Sequence, residues 1–365
     1  MKKSHHHETE AAQKGQTSCS FIAANGYRGF RSKFDEVYQT KQYEHLFIIK
    51  GGPGTGKSHA MKEIGKNAEK IGADCEYIYC SSDPDSLDGL IMKKGRCRIG
   101  VLDGTAPHTR CTEIPGAVDE LVNLGEFWDS TRLSPHREKI FSLQQKKTQA
   151  YRRAYRYLRI AGEADAYLTD LLEPCVDQEK LERSIARSTR KIPDSKVPGM
   201  QLRYRQACSM KGLVHLPIHF TKDIGIADYL GSARFYLASL KKVLLTEERH
   251  AFTLYPCCYT DTVTDAILLS DSGILFSARE DEEIAEINMK RFLRKDALSV
   301  CRSDIRHLRN VCRDMQEHAI GALKEAGNYH FTLEEIYRDA MNFKAKEACV
   351  AKLSEKILSY LQSGG

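Results

Sequence analysis

Residues 46–61 read LFIIKGGPGTGKSHAM, and the reading of the whole chain follows from them. Leu46, Phe47, Ile48 and Ile49 form a short apolar run of the kind a buried strand shows. Gly51, Gly52, Pro53, Gly54, Thr55, Gly56, Lys57 and Ser58 follow in GxxxxGK[ST] spacing, and Ala60, Met61, Ile64 and Ala68 then recur at helical intervals. Strand, glycine loop and helix in that order describe a cradle for a polyphosphate. Glycines let consecutive backbone N–H groups turn inward where a Cβ would crowd the anion. The helix that starts at the loop directs the positive end of its dipole at the same charge. Lys57 is expected to reach the β- and γ-phosphates, and Ser58 to ligate Mg²⁺.

Asp103 closes a second apolar run, Ile99, Gly100, Val101 and Leu102, as a Walker B carboxylate does at the end of a neighbouring strand. It is expected to assist Lys57 in catalysis and to support Mg²⁺; a strand-ending Asp is also a common turn residue. Gly104 follows it, so the water-activating Glu of an AAA-type ATPase is missing. Asp83, Asp85 and Asp88 lie just past the run Glu76, Tyr77, Ile78, Tyr79, at the carboxyl end where open α/β sheets bind ligands. Substrate or metal chemistry there competes with an Asp-Pro turn and a helix N-cap at Asp85 or Ser86. His108 reads as a proton-transfer or phosphate contact, or as a loop histidine. Residues 151–159, YRRAYRYLR, put Arg152, Arg156 and Arg159 on one helical face; a phosphate lid, a nucleic-acid stripe and a solvated face all fit. No NKxD-type guanine reader is present, which favours ATP over GTP.

The 365 residues fit two domains. With 41% hydrophobic and 28% charged residues the composition is globular, and it argues against collagen-like, coiled-coil or wholly disordered classes. No apolar run spans a bilayer, the polar start lacks a signal-peptide core, and the twelve cysteines form no CxxC pair, so a cytoplasmic, reduced protein is expected. A net charge of +6 lacks the one-sided excess typical of nucleic-acid binders, yet permits an anionic partner. His5, His6, His7 and Glu8 suggest adventitious metal binding or a frayed terminus.

Sliding the chain on itself places Phe47 on Ile224, Gly54 on Gly231 and Lys57 on Arg234. After a one-residue gap, Asp85 falls on Asp261, Leu87 on Val263 and Ile91 on Ile267, and RIGVLD lies on GILFSA. Each half ends in helical patterns, over 137–191 and 282–361, and Pro193, Pro198 and Gly199 mark the boundary near 200. The expected architecture is a duplicated α/β fold: a flexible 1–20, a P-loop NTPase domain with helical extension over 21–200, and a degenerate copy with its own extension over 201–365. In the second copy Arg234 replaces the lysine, Phe235 the hydroxyl, and Ala278 stands where Asp103 was; Asp228 would repel a phosphate. Arg234 is a candidate arginine finger toward the first half, or a packing arginine.

FIAANGYRGF (21–30), GGPGTGKS (51–58), CSSDPDSLDGLI (80–91), VLDGTAPHT (101–109) and IPGAVDELVNLGEFWD (114–129) together resemble an uncharacterised family of bacterial ATP-binding proteins with tandem P-loop NTPase-like domains. The second half departs from that pattern at 262–266. The resemblance implies ATP binding and hydrolysis and names no substrate. Asp119, Glu120, Asn123 and Glu126 within its last stretch read as a specificity element beside the γ-phosphate or as a solvated helix. The expected function is Mg²⁺-dependent ATP hydrolysis driving movement between the halves. A nucleotide or small-molecule kinase, and a nucleotide-gated regulatory protein with little turnover, are the alternatives. The second substrate or protein partner is not identified by the sequence.

Overall fold

The computed structural model describes residues 15–190, 192–260, 262–280 and 285–364. The first half comprises β1 (Thr17–Ser20), a hairpin of β2 (Ala23–Gly26) and β3 (Gly29–Ser32), α1 (Phe34–Val37), β4 (His45–Lys50), α2 (Lys57–Lys70), β5 (Asp74–Tyr79), β6 (Leu87–Lys94), β7 (Cys97–Asp103) and β8 (Asp119–Asn123). Three helices follow: α3 (Ser130–Leu133), α4 (Arg137–Leu172) and α5 (Gln178–Thr189). The second half repeats the series as β9 (Gly199–Leu202), the hairpin β10 (Gln206–Ser209) and β11 (Gly212–His215), β12 (Lys222–Ala227), α6 (Ala233–Glu247), β13 (Ala251–Pro256), β14 (Thr264–Leu269), β15 (Ile274–Arg279) and β16 (Ile287–Asn288). It ends in α7 (Lys295–Asp339) and α8 (Phe343–Ser363).

The first sheet has the order β1-β5-β6-β7-β4-β8 and the second β9-β13-β14-β15-β12-β16, which is the same order copy for copy. Both are mixed: β6 and β14 run antiparallel to their neighbours and every other pairing is parallel. The duplication expected from the sequence is therefore present as a duplicated α/β arrangement. Its register differs from the gapped alignment. Each β5–β6 type hairpin carries its irregularity at the same place, pairing Tyr79 with Leu87 and Pro256 with Thr264. Leu87 thus corresponds to Thr264 and Asp88 to Asp265, with no gap, while Asp261 lies outside the described residues.

Two further expectations change. Residues 17–20, placed in a flexible terminus, form β1 along β5; the His5–His7 run and Glu8 lie outside the described residues. Asp119, Glu120 and Asn123 are strand, not helix, because β8 pairs in parallel with β4 along its whole length, with Val122 buried and Leu121 exposed. Glu126 falls in a 3₁₀ turn, and Asp119 accepts the N–H groups of Glu113 and Ile114 at 2.6 and 2.7 Å.

The helical extensions are exchanged between the halves. Helix α4 runs antiparallel to α7, as Arg153 with Glu325, Tyr157 with His318 and Ala161 with Cys312 show. Then α5 buries Leu181 and Ile185 in the second half's core, while α8 buries Val350, Leu353, Ile357 and Leu361 against α2 and the first sheet. Matching backbone bonds mark the two crossings: Asp129 N–H to Ala340 O and Asn342 N–H to Phe127 O, then Asp177 N–H to Phe292 O and Arg294 N–H to Cys175 O, all 2.7–2.9 Å. All twelve cysteines are free thiols. Among the described residues no helix is long and apolar enough to cross a membrane.

Because the first half's core is completed by the chain's last helix, Ile357→Ala is expected to destabilise the first half by about 2–5 kcal/mol. Chemical denaturation followed at Trp128 checks this, and a loss under about 1 kcal/mol would place α8 outside the core.

Candidate functional site

The glycine loop links β4 to α2. Gly54 and Gly56 have φ of +72° and +79°, a left-handed backbone that a Cβ resists, so their N–H groups turn toward the loop's mouth. Thr55 is buried and donates to Gly52 O at 3.0 Å, which fixes the turn. Helix α2 has no side-chain N-cap, and Ala60, Met61, Ile64 and Ala68 are buried as the helical spacing predicts. Lys57 Nζ donates to Gly51 O at 2.6 Å and Gly52 O at 3.0 Å, and stands 3.5 Å from Asp103 Oδ2. The register that sets Ile49 beside Asp103 makes that contact. Asp103 Oδ1 accepts Thr105 N–H and Oγ at 2.8 and 2.5 Å; burial pushes its carboxyl up, against the pull of Lys57. Ser58 Oγ accepts the Leu87 N–H at 2.9 Å.

Trp128 and the long helix α7 pack against the loop. Trp128 lies over Gly52, where a Cβ would come within 2.8 Å of its ring, and packs on Tyr337 of α7. The α7 backbone abuts Gly54, where a Cβ would sit 2.7 Å from Glu334 O. The Glu334 carboxylate faces the loop; burial and Asp83 push its pKa up, while the nearby Gly54 N–H, Lys57 and Arg338 oppose the rise. Burial and the neighbouring Lys147 push His330 down to about 4. Buried Lys346 of α8 lies by Gly56. None of these side chains is marked by local spacing. The helical pattern was readable, but its destination was not.

Of the three carboxylates at 83–88, only Asp88 is buried. Asp83 accepts from Ser86 Oγ at 2.6 Å in a turn that leads into β6, so no helix is capped there, and Asp85 pairs with Lys211 on the surface. His108 Nε2 stands 3.0 Å from Asp88 Oδ2, with Phe30 and Phe34 against its ring. Its Nδ1 is buried with no partner among the described residues. Asp88 is also close enough to raise Asp103. Arg152, Arg156 and Arg159 are exposed, as a solvated face requires.

The second half resolves the same loop differently. Asp228, at the place of Gly51, accepts the N–H groups of Gly231 and Ala233 at 3.1 and 2.8 Å. These are the counterparts of Gly54 and Gly56. A carboxylate of the chain thus fills the concavity that is lined by N–H groups. Arg234 donates to Asp165 at 2.8 Å and Thr169 Oγ at 2.5 Å, both on α4, so its guanidinium is engaged beside the second loop and not at the first. Phe235 packs into apolar surroundings where Ser58 offers a hydroxyl. Asp265, the counterpart of Asp88, is pushed up to about 7 by burial, with Arg205 and Arg234 opposing.

No protein-family model, curated protein or solved structure matches the chain. Among the described residues no three His, Cys, Asp or Glu side chains gather as metal ligands.

The Asp265 pKa carries a signed consequence. Its folded value of about 7 exceeds the ordinary 3.8, so the folded state keeps a proton that the unfolded chain releases. The group's stabilising contribution is complete below 3.8 and is lost as pH rises through 7. Asp265→Asn is expected to gain on the parent protein by up to about 1.4 kcal/mol per pH unit across that window. Urea denaturation at pH 5 and 8 reads the difference; a pH-independent gap would contradict the assignment.

Proposed function

We propose that the chain is a P-loop NTPase whose first half binds ATP with Mg²⁺ at Gly51, Gly52, Pro53, Gly54, Thr55, Gly56, Lys57 and Ser58, and hydrolyses it. One observation carries the reading. The strand–loop–helix junction occurs twice, and where Asp228 of the second copy accepts the N–H groups of Gly231 and Ala233, the first copy has Gly51 with no side chain and left-handed Gly54 and Gly56 at the matching positions. The β-phosphate of a nucleotide is the larger, more highly charged acceptor for that position, with the γ-phosphate beyond it toward Lys57. Lys57 is anchored on loop carbonyls within reach of it.

Ser58 and Asp103 supply one hydroxyl and one carboxylate. That sparse set suits Mg²⁺, which keeps waters and takes phosphate oxygens, better than a metal needing a full protein cage. Bound Mg²⁺ would neutralise charge developing on the phosphates. The chain's own groups orient the rest: Lys57 spans the loop and Asp103, and α7 with Trp128 excludes water.

Glu334 supports coupling to movement. Its carboxylate faces the loop beside Gly54, against which the α7 backbone is packed, so a phosphate in the loop repels that charge and bears on α7. Since α7 begins on the second half, nucleotide binding is transmitted along it. A second reading, phosphoryl transfer to a small acceptor, draws on the buried Asp88–His108 pair and its unpartnered Nδ1 as a general base.

Lys57→Ala is expected to lower Mg²⁺-dependent ATP turnover by roughly a hundredfold or more while preserving the fold. Glu334→Gln, which removes the competing charge, is expected to tighten nucleotide binding about tenfold, near 1.4 kcal/mol. Phosphate release assays and titration with a non-hydrolysable analogue measure both, with and without nucleosides and metabolite pools to detect an acceptor. Unchanged turnover in a folded Lys57→Ala protein would refute the site.

A further inference from the structure

The two copies differ on one face of the sheet. In the first half, Ile22, Leu46, Ile48 and Leu102 lie under Phe34, Val37, Tyr38 and Tyr43, a fully apolar cluster supplied by residues 33–44. In the second half only residues 216–221 connect the hairpin to β12, and no counterpart of α1 is present among the described residues. Strand and hairpin registers identify the exchanged positions: Arg205 for Ile22, Asp223 for Leu46, Gly225 for Ile48, Ser277 for Leu102 and Arg279 for Gly104. An apolar floor has become polar at the same time as its cover was lost.

The result is a cavity of about 320 Å³ lined by Arg205, Leu216, Ile218, Phe220, Ser277 and Arg279, among others. Its two guanidiniums are unequal. Arg279 is paired with Asp223, which also accepts from Ser277 Oγ at 3.1 Å. Arg205 has a buried Nε with no hydrogen-bond partner among the described residues, and Asp265 opposes its charge only through space. Burial also pulls the Arg205 pKa down, the sign of a cation short of solvent. Leu216, Ile218 and Phe220 form an apolar wall, and Phe220 remains 47% exposed.

We propose that this cavity binds a small monocarboxylate with an apolar body, its carboxylate on Arg205 and its body against Leu216, Ile218 and Phe220. A guanidinium fork matches a carboxylate with two parallel donors, and a buried polar donor without an acceptor is unfavourable until one arrives. A single negative charge fits best, because Asp223 already occupies Arg279 and a second anionic group would find no free partner. The volume sits at the lower end for small-molecule sites. The site lies on the second half and does not rest on the nucleotide reading.

The test uses the intact chain without nucleotide, titrated by ligand-observed NMR with hexanoate and benzoate and with hexanamide, benzamide and inorganic phosphate. The carboxylates are expected to bind at least tenfold more tightly than their amides and than phosphate. Arg205→Gln is expected to weaken them at least tenfold. Ser277→Leu, which brings the first half's side chain to this face, is expected to block binding without touching the charge, so the proposal stays testable if Arg205→Gln folds poorly. Equal binding of amides or of phosphate, binding that survives both substitutions, or no binding of either carboxylate would overturn it.

Discussion

Backbone N–H groups turned inward at a strand-to-helix junction require an acceptor, and both halves of this chain are arranged around that requirement. In the second half the acceptor is internal. Asp228 receives the N–H groups of Gly231 and Ala233, and Arg234 is bound by Asp165 and Thr169. In the first half Gly51 offers no side chain, and the carboxylate that reaches the loop comes from Glu334 on α7. One copy is closed by its own loop residue, and the other is faced by a side chain from a distant helix.

The exchange of helices ties the two loops to one another's cores. Helix α8 completes the core beneath the first loop, α5 does the same for the second half, and α4 and α7 run side by side between them. The burial of Val350, Leu353, Ile357 and Leu361 fixes α8 to the first half; under the proposed function, a nucleotide that moved Glu334 would act along the long antiparallel pair. Where α4 ends, Cys175 and Cys301 bring their sulfurs within 3.6 Å, another sign of how closely the two helices are packed.

Much of the frame was legible because it is written in local patterns. The run from Leu46 to Ile49, the glycine loop and the spacing of Ala60, Met61, Ile64 and Ala68 specify strand, turn and helix without outside help. Asp103 was legible because a carboxylate at the end of an apolar run marks a strand terminus beside the loop. What failed were judgments that depend on partners. Asp119, Glu120 and Asn123 match helical spacing, yet pairing with β4 holds them in a strand. The gap that set Asp85 on Asp261 was an artefact of sparse identity; matched bulges show Asp88 and Asp265 in register. Glu334, Lys346 and Trp128 reach the loop through tertiary crossings, which no spacing within a helix encodes.

The contrast between Gly51 and Asp228 implies one polyphosphate site per chain under the proposed function. Calorimetric titration of the intact chain with Mg²⁺ and a non-hydrolysable ATP analogue is predicted to give a stoichiometry near one, abolished by Lys57→Ala and unaffected by Arg234→Ala. Two sites of comparable affinity, or one site that survives Lys57→Ala, would contradict it.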